Sequence, residues 1–231
     1  MRGLWVCGAV WLGLVGQPSA VAAESQCFGT VSKGRLEGGV QLPLSGPNFS
    51  AYSTLAATAG RTHVHSKVAQ VMGDAYAALA VAAPAKTYVY GETGWSSGGR
   101  FRPHRTHQNG LSVDFFVPVL NKAGQSVPLP TQLTQRLGYD IEFDAKAKYG
   151  EYTIDFTALA EHLYQLHLAA KARGVGISLV ILDTRYLPRL WATPRGASLR
   201  ASLPFMKTQA WVRHDEHYHV DFAVPCKPLG G

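Results

Sequence analysis

Two segments of the chain repeat their apolar residues at the spacing of a helix. From Thr62 to Ala82, and again from Phe156 to Gly174, an apolar side chain returns every three or four residues, with alanines filling many positions between them. That spacing gathers the apolar side chains on one face of a helix. The sequence therefore predicts two amphipathic helices that pack on the core.

Four other segments have the composition of strands. Residues 86–91 are rich in aromatic residues, and residues 176–182 form a short apolar run. Residues 111–119 and 217–224 alternate in character, and this period of two places one set of side chains on each face of a strand. The pattern predicts an α+β fold, in which helices pack on the outer face of a small antiparallel sheet.

Two further segments predict loops. Residues 24–50 are rich in Gly, Pro and Ser, and we expect an extended N-terminal arm there. Residues 92–100 contain three glycines but lack the G-x-x-x-x-G-K-[ST] order of a phosphate-binding loop. We interpret them as a flexible rim that carries Trp95 and Arg100 beside a cleft.

The N-terminus has the three parts of a secretory signal peptide. Arg2 precedes an apolar run over residues 3–15, and the small residues at positions 20–23 supply a cleavage site. A membrane span needs about 20 apolar residues, and no stretch of this chain is that long and apolar. We predict that residues 1–23 form a signal peptide, that the exported chain has no membrane span, and that residues 24–231 form a single domain.

Charge narrows the choice of partner only slightly. The formal net charge of +7 suits an anionic partner such as cell-wall polymer, nucleic acid or acidic lipid. The chain has no block of like charges that would favour one of these partners. The predicted export argues against nucleic acid as the partner.

The cysteine count predicts one disulfide. Cys7 is lost with the signal peptide, so Cys27 and Cys226 remain as an even pair in an oxidising compartment. A bridge between them would join the two ends of the exported chain. In the chain-entropy picture so long a loop contributes roughly 4–5 kcal/mol.

Five of the 9 histidines fall in two short windows, residues 104–114 and 214–219, together with three carboxylates. Asp114 faces away from the apolar layer of its strand, and Gly110 supplies a bend that brings His107 to the same side. In the last strand, His217 and His219 share one face, opposite a fully apolar one. These polar side chains are placed to converge on one metal ion.

The donor types favour zinc. A catalytic zinc site takes three protein ligands and keeps a fourth position for water, and His107, Asp114 and His219 would supply such a set. The ion would acidify its water and polarise a scissile carbonyl. The H-E-x-x-H helix of the common metalloproteases is absent from the sequence, which excludes that class.

The proton acceptor has three candidates in the second window. His217 lies on the ligand's strand face and could orient the water or stabilise the oxyanion, while Glu216 and His214 are rival general bases. If the strand is regular, Glu216 points away from the face of His217 and His219. That geometry favours His217.

The motifs together resemble those of a known family. In chain order they are Gly98-Gly99, His104-x-x-His107-Gln108-x-Gly110-Leu111-x-Val113-Asp114 and His214-x-x-His217-x-His219. Their order and spacing resemble the penicillin-insensitive murein endopeptidases. That subgroup belongs to the LAS metallopeptidases, which are named for lysostaphin, D-Ala-D-Ala peptidases and sonic hedgehog.

The resemblance implies an LAS metallopeptidase-like fold and a zinc peptidase of the bacterial periplasm. Its partner would be peptidoglycan, in which it would cut peptide cross-links such as the bond from D-alanine to meso-diaminopimelate. By this resemblance, His107, Asp114 and His219 are the zinc ligands. His217 is the catalytic histidine, with His214 beside it. His104 matches a further motif histidine that would contact the metal or the substrate. Gln108 is a candidate for contacting substrate or supporting a ligand, and the Cys27 and Cys226 pair resembles the subgroup's disulfide between chain ends.

Two other functions stay open from the sequence. Glu216-x-x-His219 resembles the Glu-x-x-His of D-Ala-D-Ala dipeptidases and carboxypeptidases, which trim stem peptides. A zinc-bearing, non-catalytic module that binds the cell wall is the second alternative. Its signature would be loss of the catalytic histidine with the ligands retained, whereas His217 is present here.

Overall fold

The computed structural model of the protein describes residues 24–230. The predicted signal peptide, residues 1–23, lies outside this range. Thirteen strands are present in it: β1 Gln26–Thr30, β2 Lys33–Glu37, β3 Val40–Gln41, β4 Phe49–Ala51, β5 His63–Val64, β6 Tyr88–Tyr90, β7 Ser112–Phe116, β8 Val119–Leu120, β9 Ser126–Val127, β10 Lys148–Tyr149, β11 Tyr152–Ile154, β12 Gly176–Ile181 and β13 His217–Ala223. The helices are α1 Thr54–Thr58, α2 Ser66–Ala82, α3 Phe156–Ala172, α4 Leu187–Trp191 and α5 Gly196–Ser202, with short 3-10 segments at Leu133–Gly138 and Thr184–Tyr186.

The main sheet has five strands in the order β12-β13-β7-β6-β4. All neighbours in it are antiparallel except β4 and β6, which pair in parallel. The predicted α+β class is confirmed, and the sheet is antiparallel apart from this one edge pair. Strands β7 and β13 lie side by side at its centre, so the two segments that carry the polar clusters are direct neighbours.

Helices α2 and α3 pack against each other, and their apolar faces belong to the buried core together with the apolar face of β13. Both predicted helices are confirmed, but the first begins at Ser66 and not at Thr62. The residue before it, His65, caps the helix, since its Nδ1 accepts from the backbone N–H of Lys67 at 3.1 Å. Residues 63 and 64 pair instead with β3 as strand β5.

The N-terminal segment is more ordered than an extended arm. Strands β1 and β2 form an antiparallel hairpin, in which Cys27 pairs with Leu36 and both side chains are buried. The predicted disulfide is present: Cys27 and Cys226 are bonded across a sequence separation of 199 residues. The hairpin could not be predicted from the composition of this segment, because the segment has few apolar residues and only alternate positions of β2 are buried.

The alternating segment at residues 111–119 is divided in two. Strand β7 ends at Phe116, and Val119 begins β8, which belongs to a separate four-stranded sheet of order β10-β11-β8-β9. Within residues 24–230, no helix combines the length and the apolar character that a membrane span requires.

Candidate active site

A cleft of about 750 Å³ opens over the polar face of β7 and β13. Its walls come from three segments, residues 103–106, 133–142 and 211–217. Six of the side chains predicted to act together line it: His104, Asp114, His214, Glu216, His217 and His219. His107 lies beneath them and is fully buried.

Strand pairing brings the two clusters together. Asp114 and His219 are direct partners in the register of β7 and β13. Their side chains point to the same face, and His219 Nδ1 lies 2.8 Å from Asp114 Oδ1. Residues 105 apart in the sequence thus meet because each occupies a polar position of a regular strand.

His107 reaches the same carboxylate from the loop before β7. Its backbone has a φ of 66° and Gly110 a φ of 76°, so two left-handed residues turn the chain toward the site, as the bend predicted at Gly110 requires. His107 Nδ1 lies 3.2 Å from the carbonyl oxygen of Thr93, which can only accept, so Nδ1 carries the hydrogen. The lone pair is therefore on Nε2, which lies 3.3 Å from Asp114 Oδ1.

The Nε2 atom of His107 is buried and has no hydrogen-bond partner within the described part of the chain. A lone pair facing a carboxylate oxygen is unfavourable unless a cation lies between them. Burial lowers the pKa of His107, although Asp114 opposes the shift, so the ring favours its neutral form. A neutral imidazole beside a carboxylate fits a metal ion.

His219 is held on both sides by carboxylates. Its Nε2 lies 2.8 Å from Asp221 Oδ1, which also accepts from Ser112 Oγ at 2.5 Å. Burial alone would lower the pKa of His219, but the carboxylates of Asp221 and Asp114 outweigh it and raise the pKa to about 10. With Nε2–H fixed on Asp221, Nδ1 is the nitrogen that can face a metal beside Asp114.

His104 brings a further nitrogen to the group. Its Nε2 lies 2.5 Å from Glu92 Oε2, and its Nδ1 lies 3.6 Å from Asp114 Oδ2. One ligand atom each from His104, His107 and Asp114 lies within 4.8 Å of the others, which is close enough for a shared metal ion. Burial alone would raise the pKa of Glu92, but His104 and Arg61 outweigh it and lower the pKa to about 2.

Glu92 belongs to the segment predicted as a flexible rim, and that prediction was wrong. Trp95 packs edge-on against Phe101, with ring centroids 5.1 Å apart, and neither Trp95 nor Arg100 lines the cleft. Glu92 itself is the member of this loop that reaches the site. No sequence motif singled it out.

Glu216 also departs from the expectation, because it points into the cleft beside His217. Strand β13 begins at His217, so the alternation of a regular strand does not extend to residue 216. The Nδ1–H of His217 donates to Glu216 Oε1 at 2.7 Å, while His217 Nε2 lies 3.9 Å from Asp114 Oδ2. Burial alone would lower the pKa of His217, but Glu216 and Asp114 outweigh it and raise the pKa.

His214 is placed beside this pair as a neutral ring. Burial, with a smaller contribution from His217, lowers the pKa of His214 to about 3. Its Nδ1–H donates to the carbonyl of Val212 at 3.0 Å, and its ring centroid lies 4.6 Å from that of His217. The adjacent His214 ring, tilted by 43° from that of His217, thus limits how His217 can turn.

Gln108, like the buried His107, does not line the cleft. Its backbone N–H donates to Val31 and its Nε2 donates to the carbonyl of Arg105 at 3.3 Å. These bonds hold the loop that carries His104 and His107. The predicted contact of Gln108 with substrate or with a metal ligand stays a prediction.

Three site residues besides Glu92 have no role predicted from the sequence. The alternation places Ser112 and Asp221 on the polar strand faces of Asp114 and His219, but it does not show what they contact. Tyr139 could not be found that way, because it lies in a loop-rich segment without a motif. Its hydroxyl contacts both Asp114 and the backbone of Glu92.

Imidazole and carboxylate donors are gathered at the floor of an open cleft, and ligand atoms of His104, His107 and Asp114 lie close enough together to hold a metal ion. The sequence profile of the penicillin-insensitive murein endopeptidase family matches residues 27–228, and the chain belongs to that family. This membership makes the protein a peptidase and indicates activity on peptidoglycan. No curated protein matches the sequence of the chain.

Proposed function

We propose that the protein is a zinc-dependent endopeptidase that hydrolyses peptide cross-links of peptidoglycan, such as the bond from D-alanine to meso-diaminopimelate. His107, Asp114 and His219 would hold the ion. The observation that carries this proposal is the buried His107 Nε2, which faces Asp114 Oδ1 with no partner in residues 24–230.

The donors suit zinc in kind, and at His219 the ion would replace the second ring proton, which Asp221 and Asp114 hold by raising the pKa of the ring to about 10. Two imidazole nitrogens and one carboxylate oxygen match the ligand sets of catalytic zinc. The Thr93 carbonyl and Asp221 each take the hydrogen of the other ring nitrogen, which supports lone pairs on His107 Nε2 and His219 Nδ1. When bound, zinc supplies Lewis acidity, which polarises the scissile carbonyl and makes a water molecule a better nucleophile.

His217 would transfer a proton during hydrolysis. Its Nδ1–H donates to Glu216, so the lone pair of His217 Nε2 faces the cleft. That atom can take a proton from the attacking water and deliver it to the departing amine. Glu216 would stabilise the imidazolium in between, and His214 would hold the ring in place.

The rim of the cleft suits an anionic peptide. Arg105, Arg136 and Arg213 line the cleft, together with the exposed ring of Trp211. Stem peptides with diaminopimelate carry several carboxylates, which guanidinium groups bind well. The net charge of +7 favours approach to a polyanionic wall.

Location and domain organisation follow from the same proposal. Peptidoglycan lies outside the inner membrane, so the signal peptide predicted over residues 1–23 would deliver the enzyme to the periplasm. We infer a single catalytic domain over residues 24–231, because the family match spans nearly all of it.

A D,D-carboxypeptidase is the second candidate. Glu216 lines the cleft, and burial raises its pKa, although His217 opposes the shift. A carboxylate with a raised pKa suits a general base in the Glu-x-x-His arrangement. In that case the enzyme would remove terminal D-alanine from uncross-linked stems.

The experiment compares two defined substrates, a cross-linked muropeptide dimer and a monomeric pentapeptide, with zinc content measured on each protein. The endopeptidase converts dimers to monomers, whereas the carboxypeptidase releases only D-alanine. His107→Ala and His219→Ala should lose zinc and activity together, and His167→Ala, which changes a histidine outside the cleft, should keep both. Full activity in the His219→Ala protein would exclude the proposed zinc site.

A further inference from the structure

Tyr139 lies between the two histidine clusters, at the end of the 3-10 segment that forms one wall of the cleft. Its ring is half-buried and packs edge-on against His104 and His217, with centroids 5.6 and 5.1 Å away. Phe116 supports it in the same way at 5.2 Å. The ring therefore has a fixed orientation.

The hydroxyl of Tyr139 makes two hydrogen bonds whose directions are fixed. The backbone N–H of Glu92 can only donate, so the phenol oxygen accepts that bond, at 2.9 Å. The phenol hydrogen is left for Asp114 Oδ2, at 3.1 Å.

Gly91 makes this close approach possible. A Cβ atom at position 91 would lie 2.7 Å from the Tyr139 oxygen and 3.1 Å from Asp114 Cβ. Neither distance leaves room for a methyl group without movement. A glycine here is what allows the phenol to reach the carboxylate.

We propose that Tyr139 is a positioning residue that occupies Asp114 Oδ2, so that Asp114 offers only Oδ1 to an ion held with His107 and His219. This inference rests on the proposed zinc site. A carboxylate with both oxygens free can turn and bind an ion through either or both of them. Tyr139 would thus hold the Asp114 carboxylate in one orientation, with Oδ1 toward His107 and His219.

The test measures zinc affinity, by competition with a chromophoric chelator, in the full exported chain. Tyr139→Phe should weaken zinc binding by about 10- to 100-fold, as expected when a group that orients a metal ligand is removed. Tyr186→Phe is the matched control: it removes a phenol that donates to the Asp144 carbonyl at 2.6 Å, outside the cleft, and should leave the affinity unchanged.

Cobalt substitution reports the geometry directly. In the Tyr139→Phe protein the visible absorption of bound Co²⁺ should change in position and intensity, because Asp114 gains a second free oxygen. A loss of general stability would not produce this change. Melting curves of each variant would ensure that all affinities are measured on folded protein.

A double mutant separates the hydroxyl contact from other effects at the site. Gly91→Ala should weaken zinc binding in the wild-type background by displacing the phenol. In the Tyr139→Phe background the oxygen that the methyl group would strike is absent, so the same substitution should have a smaller effect. Equal effects in both backgrounds would mean that Gly91 acts without Tyr139.

The outcomes distinguish this inference from the proposed function. Wild-type zinc affinity and an unchanged cobalt spectrum in Tyr139→Phe, with reduced turnover, would overturn the positioning role and indicate contact with substrate. If the wild type fails to bind zinc, the proposed site and this inference both fail. If zinc binds to the wild type, is lost in His219→Ala and weakens in Tyr139→Phe, both are supported.

Discussion

Acid should destabilise the protein through His162, a buried histidine on α3 that takes no part in the site. Only 1% of its surface is exposed, and its neighbours are the aromatic rings of Tyr76, Tyr88, Phe115 and Tyr218. Its Nδ1 is hydrogen-bonded to the Tyr218 hydroxyl at 2.7 Å. Tyr218 lies on β13 between His217 and His219, so His162 supports the strand that carries the site from its apolar side.

The size of the effect follows from the pKa difference between the folded and unfolded chain. Burial lowers the pKa of His162 to about 3, from the 6.5 of a histidine in an unfolded chain. Below about pH 6.5 the unfolded chain binds a proton that the folded chain refuses, so the free energy of unfolding falls as the pH falls. From about pH 7 to about pH 5 this one group should remove about 2 kcal/mol, at about 1.4 kcal/mol per pH unit once the unfolded histidine is protonated.

The assay is urea unfolding at several pH values in this range, with a fixed chelator concentration so that metal binding does not contribute. In His162→Asn, the amide can still form a hydrogen bond with the Tyr218 hydroxyl, but it is not titratable. The free energy of unfolding of this variant should vary less with pH than that of the wild type by about 2 kcal/mol over the interval. His167→Asn, on the same helix, keeps His162 and should retain the wild-type slope.

Equal slopes in the wild type and His162→Asn would refute this reasoning. They would mean that His162 is protonated in the folded protein, and therefore that the aromatic pocket around it admits water or a counter-charge.

Three further predictions concern the site and the bridge. Asp221→Asn should weaken zinc binding by about 10- to 100-fold in a chelator competition, because it removes the negative charge that holds Nε2–H of His219. Glu216→Gln should lower kcat by at least about 100-fold, because His217 loses the carboxylate that orients and charges it, while zinc content stays at the wild-type level. Replacing Cys27 and Cys226 by alanine should reduce the free energy of unfolding by about 5 kcal/mol, as measured by urea denaturation, since the bond closes a loop of 199 residues.

The sequence predicted the residues that lie on regular strands well. Asp114 and His219 meet because β7 and β13 alternate without interruption, so the face of each side chain could be read from its neighbours. The two long helices were equally clear, since each buries one continuous apolar face. In both cases a local repeat determined which side chains are buried.

Where the repeat stops, prediction from the sequence fails. Glu216 lies one residue before β13, so nothing in the strand pattern determines its direction, and its contact with His217 was missed. Glu92 and Tyr139 lie in loops whose paths depend on packing against distant segments. The hydrogen bonds of Tyr139 to residues 25 and 47 positions away come from tertiary structure alone.

The most direct test of the zinc-dependent endopeptidase is digestion of purified murein sacculi by the wild-type protein, with and without a chelator, followed by separation of the muropeptides. We predict that cross-linked dimers become monomers, that the chelator blocks this change, and that added zinc restores it. Digestion that continues unchanged in the chelator, or sacculi left intact by zinc-loaded protein, would contradict the account.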